Sequence, residues 1–266
     1  MTDLSNIIHL DAIRASVATR RLSAGLIAPA AEETHCELAP EHAADPIKSM
    51  DDIDRMSRWF IENGQYRDNM LFIVGINFGL RASDLRMLRF SNLINDNCTF
   101  KEGFHVFEKK TRNTRKRKKN RYITINDAVV EAVTLYLEHT PGVTLSDYMF
   151  RTAAPQMQGA NEPIAVNSIR RILVAAADGI GLNIHVSTHT LRKTFCYWMM
   201  MDGHNDQRRL LLLQKMLNHS SPAQTLDYIG LTAEEMEEAY KHLNLGSAKR
   251  NYMHGVAIYE REEDAM

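Results

Sequence analysis

The sequence predicts a mainly α fold with a small antiparallel β-sheet, the α+β class. Two patterns favour this class. From Met50 onward, apolar residues recur every three or four positions through most of the chain, which is the spacing of amphipathic helices. Between residues 93 and 125 the spacing shortens toward two, the alternation typical of half-buried strands. A hydrophobic content of 44% and a charged content of 24% over 266 residues fit a globular protein.

The first 48 residues differ in character from the rest of the chain. Residues 10–26 can form one amphipathic helix. Residues 28–46 then carry prolines, alanines and acids without periodicity, a composition that predicts a flexible linker. We therefore place a domain boundary near Pro46.

Helices and strands follow this boundary in a definite order. Residues 51–62 and 67–78 are predicted as helices, and Gly79 is a left-handed stop for the second of them. The sequences F-H-V-F and Y-I-T-I predict two strands on either side of a basic run. Asn126 is expected to cap the next helix. Further helices are predicted at residues 167–177, 188–201, 207–217, 222–228 and 233–243.

Five short stretches carry reactive side chains in a fixed order along the chain. They are G-L-R-A-S-D-L, E-K-K-T, H-T-L-R, N-H-S-S and, nine residues beyond the histidine of the fourth stretch, a tyrosine. Two arginines, two histidines, a lysine and a tyrosine supply each role of phosphoryl transfer through a covalent protein intermediate. The six side chains are Arg81, Lys110, His189, Arg192, His219 and Tyr228.

This ordered set resembles the tyrosine recombinase (phage integrase) family. The resemblance spans roughly residues 50–245, and its most specific parts are H-T-L-R-K-T-F and L-N-H-S-S-P-A-Q-T-L-D-Y-I-G. Lys193 stands where the family often has His or Arg, and Asn218 stands where Gly is common. The stretch between Lys110 and Tyr122 is longer than usual. None of these departures removes a reactive group.

The resemblance implies that four of the six side chains act on the phosphate or on the nucleophile's proton. Arg81 and Arg192 would bind the non-bridging oxygens, whose geometry a guanidinium fork matches, and Asp84 would hold Arg81 in place. His189 lies three residues before Arg192, hence on the same helix face, and would be the general base. His219 would donate a hydrogen bond to the phosphate.

The other two side chains act on the bridging oxygens. Tyr228 would be the nucleophile that forms a 3′-phosphotyrosyl bond. Lys110 would protonate the departing 5′ oxygen, although Lys109 beside it and three lysines further along the same run leave this assignment open. The chemistry requires no metal and no cofactor.

The basic run supports DNA as the partner even though the net charge of the chain is only −1. Nine of the thirteen residues from 109 to 121 are basic, which is the footprint of a phosphate-binding surface. Alone, the run fits a solvated loop or a localisation-like patch equally well, and the flanking motifs decide for double-stranded DNA. The predicted DNA-binding residues are Lys109, Arg112, Arg115, Lys116, Arg117, Lys118, Lys119 and Arg121.

The resemblance also predicts the organisation and function of the whole chain. Residues 1–48 would lack a complete core-binding domain, residues 49–246 would form the catalytic domain, and residues 247–266 a C-terminal tail. The implied function is that of a site-specific DNA recombinase or integrase that integrates or excises a mobile element. The alternatives are type IB topoisomerase-like strand relaxation and a non-catalytic DNA-binding regulator. Expected partners are further copies of the chain, dimer to tetramer on DNA through residues 232–245, and a host DNA-bending protein.

Composition argues against several other kinds of site and location. Cys36, Cys98 and Cys196 are odd in number and far apart, which disfavours a disulfide framework or a zinc site. No apolar stretch approaches the ~18 residues that a membrane-spanning helix needs. The acidic N-terminus lacks the basic and apolar regions of a signal peptide. We therefore expect a cytoplasmic, nucleoid-associated protein of the bacterial type without a membrane partner.

Overall fold

The computed structural model describes residues 7–21, 44–106, 121–152, 161–201, 207–217 and 221–229. The described helices are α1 (Leu10–Arg21), α2 (Met50–Glu62), α3 (Tyr66–Phe78), α4 (Ala82–Leu85), α5 (Phe90–Leu93), α6 (Asp127–His139), α7 (Val166–Gly179), α8 (Thr188–Met201), α9 (Gln207–Leu217) and α10 (Pro222–Ile229). Between α5 and α6 lie the strands β1 (Gly103–Val106) and β2 (Arg121–Thr124). No helix in these parts of the chain is both long and apolar enough to cross a membrane.

Helix α3 is the centre of the fold. It is apolar on most of its surface, and Met70, Leu71, Phe72 and Val74 are all buried, because α2, α6 and α8 pack around it. The helix ends where Gly79 adopts a left-handed conformation with φ 57°, as the sequence predicts. Its C-terminal end therefore directs the next few residues toward α8.

The sheet consists of β1 and β2 paired antiparallel, with Gly103 opposite Thr124 and Val106 opposite Arg121. Phe104 and Ile123 face each other in this register, and both are buried against the core. The sheet matches the two strands expected on either side of the basic run. Residues 107–120 between the strands, which include most of that run, lie outside the described residues.

The N-terminal helix α1 packs against α6. Residues 22–26, the predicted end of this helix, lie outside the described residues. Ile13 is fully buried, Ile8 donates a main-chain hydrogen bond to the Val143 carbonyl, and Arg14 pairs with Glu138 at 2.9 Å. This helix thus shares its core with the helices after residue 49. Residues 28–43 of the predicted linker also lie outside the described residues.

Residues 44–49 run as an extended strap along α8. The Ile47 main-chain N–H donates to Thr194 Oγ1 at 2.9 Å, and the Trp198 indole N–H donates to the Ile47 carbonyl at 3.0 Å. Asp45 accepts from the His185 N–H at 2.9 Å through its carboxylate. The strap therefore holds both the segment that precedes α8 and one face of the helix itself.

The buried apolar side chains form two clusters. The larger one unites α1–α7 and the sheet with the first half of α8, which contributes Leu191. The smaller one joins the second half of α8 to α9 and consists of Phe195, Cys196, Met200, Leu213 and Leu217. Helix α8 lies between the two clusters, and the candidate site lies along it.

Candidate active site

Arg81 owes its position to the end of α3. Gly79 can take its left-handed φ because it has no Cβ, and a Cβ there would lie 2.3 Å from the Phe195 ring. Two residues later Arg81 occupies the cap position before α4, with extended backbone at φ −67° and ψ 146°. The Asp84 N–H donates to the Arg81 carbonyl at 2.8 Å, and the Asp84 side chain is buried. That this carboxylate holds the Arg81 guanidinium stays a prediction.

Arg192 is the most deeply buried charged side chain of the site, at 2% exposure. Its Nη1 donates to the Gly79 carbonyl at 2.8 Å and its Nη2 donates to the Leu217 carbonyl at 3.0 Å. A guanidinium can make both bonds because its donors form a rigid planar fork. Arg192 thereby connects the end of α3, two residues before Arg81, to the end of α9.

His189 and Tyr228 meet beside this guanidinium. The His189 Nδ1 lies 3.2 Å from the Tyr228 hydroxyl oxygen, although the two residues are 39 positions apart. Tyr228 projects from α10 and packs against the smaller apolar cluster, whereas His189 is exposed at the start of α8. In the tautomer with an unprotonated Nδ1, the imidazole accepts the tyrosine's hydrogen bond and can accept its proton.

The electrostatics of Tyr228 reflect its neighbours. Burial raises the pKa of Tyr228 to about 12, while the charge of Arg192, the charge of Arg81 and a hydrogen bond with Arg192 act in the opposite direction. The free phenol is therefore held protonated at neutral pH. Both arginines nevertheless favour the phenolate, and the His189 ring lies beside the same oxygen.

The structure thus brings together four of the six predicted reactive side chains: Arg81, His189, Arg192 and Tyr228. Lys110 and His219 lie outside the described residues, and so do the predicted DNA-binding residues Lys109, Arg112, Arg115, Lys116, Arg117, Lys118 and Lys119. Their roles stay predictions. Among the residues that are described, no group of three His, Cys, Asp or Glu side chains is placed to hold a metal ion.

Arg121 is the one predicted DNA-binding residue that is described. It is the first residue of β2 and is partly buried, and its Nη2 donates to the Phe78 carbonyl at 2.7 Å. Its guanidinium carbon lies 5.5 Å from the centroid of the Phe195 ring. The side chain therefore reaches inward to the end of α3.

Lys193, which departs from the family pattern in the third motif, is a neighbour of Tyr228. Its Nζ lies 5.8 Å from the centroid of the Tyr228 ring. Burial lowers the pKa of Lys193, and the charge of Asp45 in the strap opposes that effect. The signal in the sequence was spacing, because Lys193 follows His189 by four residues and so shares its helix face.

Comparison with known proteins identifies a family for this chain. A model of the phage integrase family matches residues 49–235. Probable integrase/recombinase YoeC of Bacillus subtilis (strain 168) is 33% identical over 200 residues, which cover 75% of this chain and 97% of YoeC. Tyrosine recombinase XerC of Pelobacter propionicus is 28% identical over 122 residues, which cover 46% of this chain and 37% of XerC.

Solved structures show the same fold. The structure of XerA recombinase superposes with a TM-score of 0.55 at 21% identity and covers 79% of this chain and 67% of XerA. A post-cleavage complex of the XerH site-specific recombinase with its palindromic difH substrate gives a TM-score of 0.53 at 16% identity, covering 72% of this chain and 51% of XerH. The chain therefore spans most of XerA and about half of XerH.

The fold and the site together define a tyrosine-type site-specific recombinase. The chain belongs to the phage integrase family, because the family model matches well over half of it and YoeC is matched over nearly its whole length. The predicted family, the predicted mainly α class with a small antiparallel sheet, and the predicted enzyme class are thereby confirmed.

Proposed function

We propose that this chain cleaves and rejoins DNA strands at a specific site through a 3′-phosphotyrosyl intermediate on Tyr228. The observation that carries the proposal is the 3.2 Å approach of His189 Nδ1 to the Tyr228 hydroxyl beside the buried guanidinium of Arg192. A nucleophile, a base that can take its proton and a cation for the phosphate charge meet at one point. That is the arrangement which covalent phosphoryl transfer requires.

In the forward step the Tyr228 oxygen attacks the phosphorus of a phosphodiester and passes its proton to His189. The new O–P bond forms as the bond to the 5′ oxygen breaks, and Lys110 gives that leaving oxygen a proton. Arg81, Arg192 and His219 stabilise the charge on the non-bridging oxygens. The reverse step, with a 5′ hydroxyl of another strand as the attacking group, restores the phosphodiester and frees Tyr228.

The energy of the broken phosphodiester is kept in the phosphotyrosyl bond, so rejoining needs no ATP. The residues of the site perform both proton transfers themselves. Under this scheme the reaction uses no metal and no cofactor. The two alternatives, strand relaxation of the type IB topoisomerase kind and a non-catalytic DNA-binding role, are not favoured by the integrases and recombinases that the chain matches.

Double-stranded DNA is the proposed substrate, and homo-oligomers from dimer to tetramer are the proposed active form. The XerH relative was solved on a palindromic DNA substrate, which supports an arrangement of paired protomers on DNA. In this chain the oligomer contact is assigned to residues 232–245, which lie outside the described residues. Integration or excision of a mobile element is the proposed use, with a host DNA-bending protein as a candidate accessory partner.

Covalent capture tests the proposal. The protein is incubated with nicked duplexes made from the DNA that flanks its gene, and adducts are resolved on a denaturing gel. Wild type and Tyr66→Phe should both form adducts, because Tyr66 stacks on His139 at a ring distance of 3.7 Å and that stack needs no hydroxyl. Tyr228→Phe should form none while binding the same DNA with similar affinity. Adducts that persist in Tyr228→Phe would contradict the proposal.

A second experiment tests the general acid. Lys110→Ala should slow cleavage of ordinary DNA but recover on a substrate whose 5′ leaving oxygen is replaced by sulfur, because a thiolate departs without a proton. Lys109→Ala is the matched control and should show no selective recovery. If recovery appears in Lys109→Ala instead, the general acid is Lys109.

A further inference from the structure

Two guanidinium groups hold consecutive carbonyls at the end of α3. The Arg121 Nη2 donates to the Phe78 carbonyl at 2.7 Å, and the Arg192 Nη1 donates to the Gly79 carbonyl at 2.8 Å. Arg121 comes from β2 and Arg192 from α8, so this one turn of backbone is fixed from two separate elements. Hydrogen bonds from charged donors are about twice as strong as neutral ones, which makes this an unusually well-restrained turn.

The turn matters because Arg81 follows it directly. Only Leu80 separates Gly79 from Arg81, and Leu80 is itself buried. Gly79 lies so close to Phe195 that the backbone cannot shift toward α8 without displacing that ring. Arg121 covers the same ring at 5.5 Å. The placement of Arg81 therefore depends on a small packed unit made of Arg121, Phe195 and the Phe78–Gly79 turn.

The charges of Arg121 and Arg192 act on the same interior region. Burial raises the pKa of the Cys196 thiol to about 12, and the charges of Arg192 and Arg121 both oppose that rise. Cys196 is fully buried beside Phe195. Arg121 thus points its charge into the protein interior near the site, which is unlike a side chain that waits for DNA in solvent.

We propose that Arg121 is a positioning residue for the phosphate-binding arginines and not a phosphate ligand in the DNA-binding run. The inference rests on the proposed function and changes one of the expectations from sequence. Because Arg121 is also the residue at which the basic run joins β2, it ties the base of that run to the turn that places Arg81.

The test separates DNA affinity from cleavage. Binding to a duplex is measured from 50 to 200 mM salt, and single-turnover adduct formation is measured with protein in excess over nicked DNA. Arg121→Gln should lower the cleavage rate about 10- to 100-fold while leaving the salt slope of binding unchanged. Arg112→Gln, in the basic run, should make the slope of log binding constant against log salt concentration shallower by about one, which corresponds to the loss of one phosphate contact. Arg14→Gln, whose side chain pairs with Glu138 far along the sequence, should change neither quantity.

Two further variants guard against a folding artefact. Arg121→Lys keeps a charged donor for the Phe78 carbonyl and should recover most of the cleavage rate. In an Arg81→Lys background, Arg121→Gln should lower the cleavage rate far less than it does in the wild type, because its effect passes through Arg81. Three results would each overturn the inference: cleavage-rate losses of Arg81→Lys and Arg121→Gln that multiply in the double variant, a flattened salt slope of DNA binding in Arg121→Gln, or an unchanged cleavage rate in Arg121→Gln. Failure of the wild type to form adducts would instead overturn the proposed function.

Discussion

The two apolar clusters support different residues of the candidate site. The larger cluster supports Arg81 through α3 and its terminal turn, whereas the smaller cluster, with five buried apolar residues in the described parts of α8 and α9, packs against Tyr228. Local opening costs less free energy where fewer apolar side chains are buried. Among the described residues, the surroundings of the proposed phosphate site are therefore packed more extensively than those of the proposed nucleophile. Such a division fits the proposed function, in which the tyrosine leaves one strand and joins another.

Arg192 is one residue that connects the two clusters. It donates to the Gly79 carbonyl on the side of the larger cluster and to the Leu217 carbonyl on the side of the smaller one. A lysine could not replace it, because a single ammonium group lacks the planar fork that reaches both carbonyls. Substitution of Arg192 should therefore affect both clusters at once.

The largest effect is expected for Arg192→Ala. Removal of the guanidinium leaves the Gly79 and Leu217 carbonyls without a charged donor, which should lower the free energy of unfolding by about 2–5 kcal/mol. Cleavage should fall by at least about a thousandfold, because the phosphate loses a cation as well. Urea unfolding and single-turnover adduct formation measure the two effects. A stable Arg192→Ala protein would show that the clusters are not joined through this side chain.

Arg81→Ala should lower the cleavage rate strongly while changing the free energy of unfolding little. Arg81 is only partly buried at the start of a short helix, so its loss should change the free energy of unfolding by no more than about 1 kcal/mol. Cleavage should nevertheless drop about a hundred- to a thousandfold at saturating DNA. If Arg81→Ala destabilises the protein as much as Arg192→Ala does, the distinction between the two arginines is wrong.

Gly79→Ala probes the turn between α3 and Arg81. The added Cβ would meet the Phe195 ring at 2.3 Å and would force a left-handed alanine, so we expect a loss of about 2–4 kcal/mol in unfolding free energy. Gly142→Ala is the matched control, because Gly142 has a φ of 80° with no atom within 4 Å of the added Cβ. It should lose only about 1–2 kcal/mol, the backbone cost alone. Equal losses in the two variants would mean that Phe195 moves aside freely.

The smallest effect is the one expected from Tyr228→Phe on the alkaline absorbance titration of the tyrosines. The pKa of Tyr228 is about 12 in the folded protein against an ordinary value of 10.0, so this group ionises later in the folded state than in the unfolded state. Its contribution to stability is full below pH 10 and is lost as the pH rises toward 12. Among nine tyrosines, Tyr228→Phe should remove one absorbance step near pH 12. Loss of a step near pH 10 would show that Tyr228 is exposed to solvent.

Local signals in the sequence predicted much of this structure. Gly79 ends α3, Asn126 caps α6 by accepting from the Val129 N–H at 3.1 Å, and the two strands lie where the alternation of apolar residues placed them. His189, Arg192 and Tyr228 of the two sharpest motifs do converge, whereas His219 lies outside the described residues. Each of these features follows from spacing or from a cap within a few residues.

The features that the sequence did not predict depend on distant partners. Arg121 belongs to a basic run, yet its side chain turns inward to the Phe78 carbonyl, 43 residues earlier, and to the Phe195 ring. The packing of α1 on α6 likewise depends on burial of Ile13 against residues more than a hundred positions away. Composition reports the polarity of a segment but not the tertiary surface that it meets, so such placements need the folded structure.

The central claim is that Tyr228, held by the smaller cluster beside His189 and Arg192, is the nucleophile. The most direct measurement is peptide mapping by mass spectrometry of the adduct trapped on a nicked duplex, after digestion of both protein and DNA. The account predicts one modified peptide, with a nucleoside 3′-phosphate joined to the oxygen of Tyr228. A phosphonucleotide on Tyr122, Tyr197 or Tyr240, with Tyr228 unmodified, would contradict it.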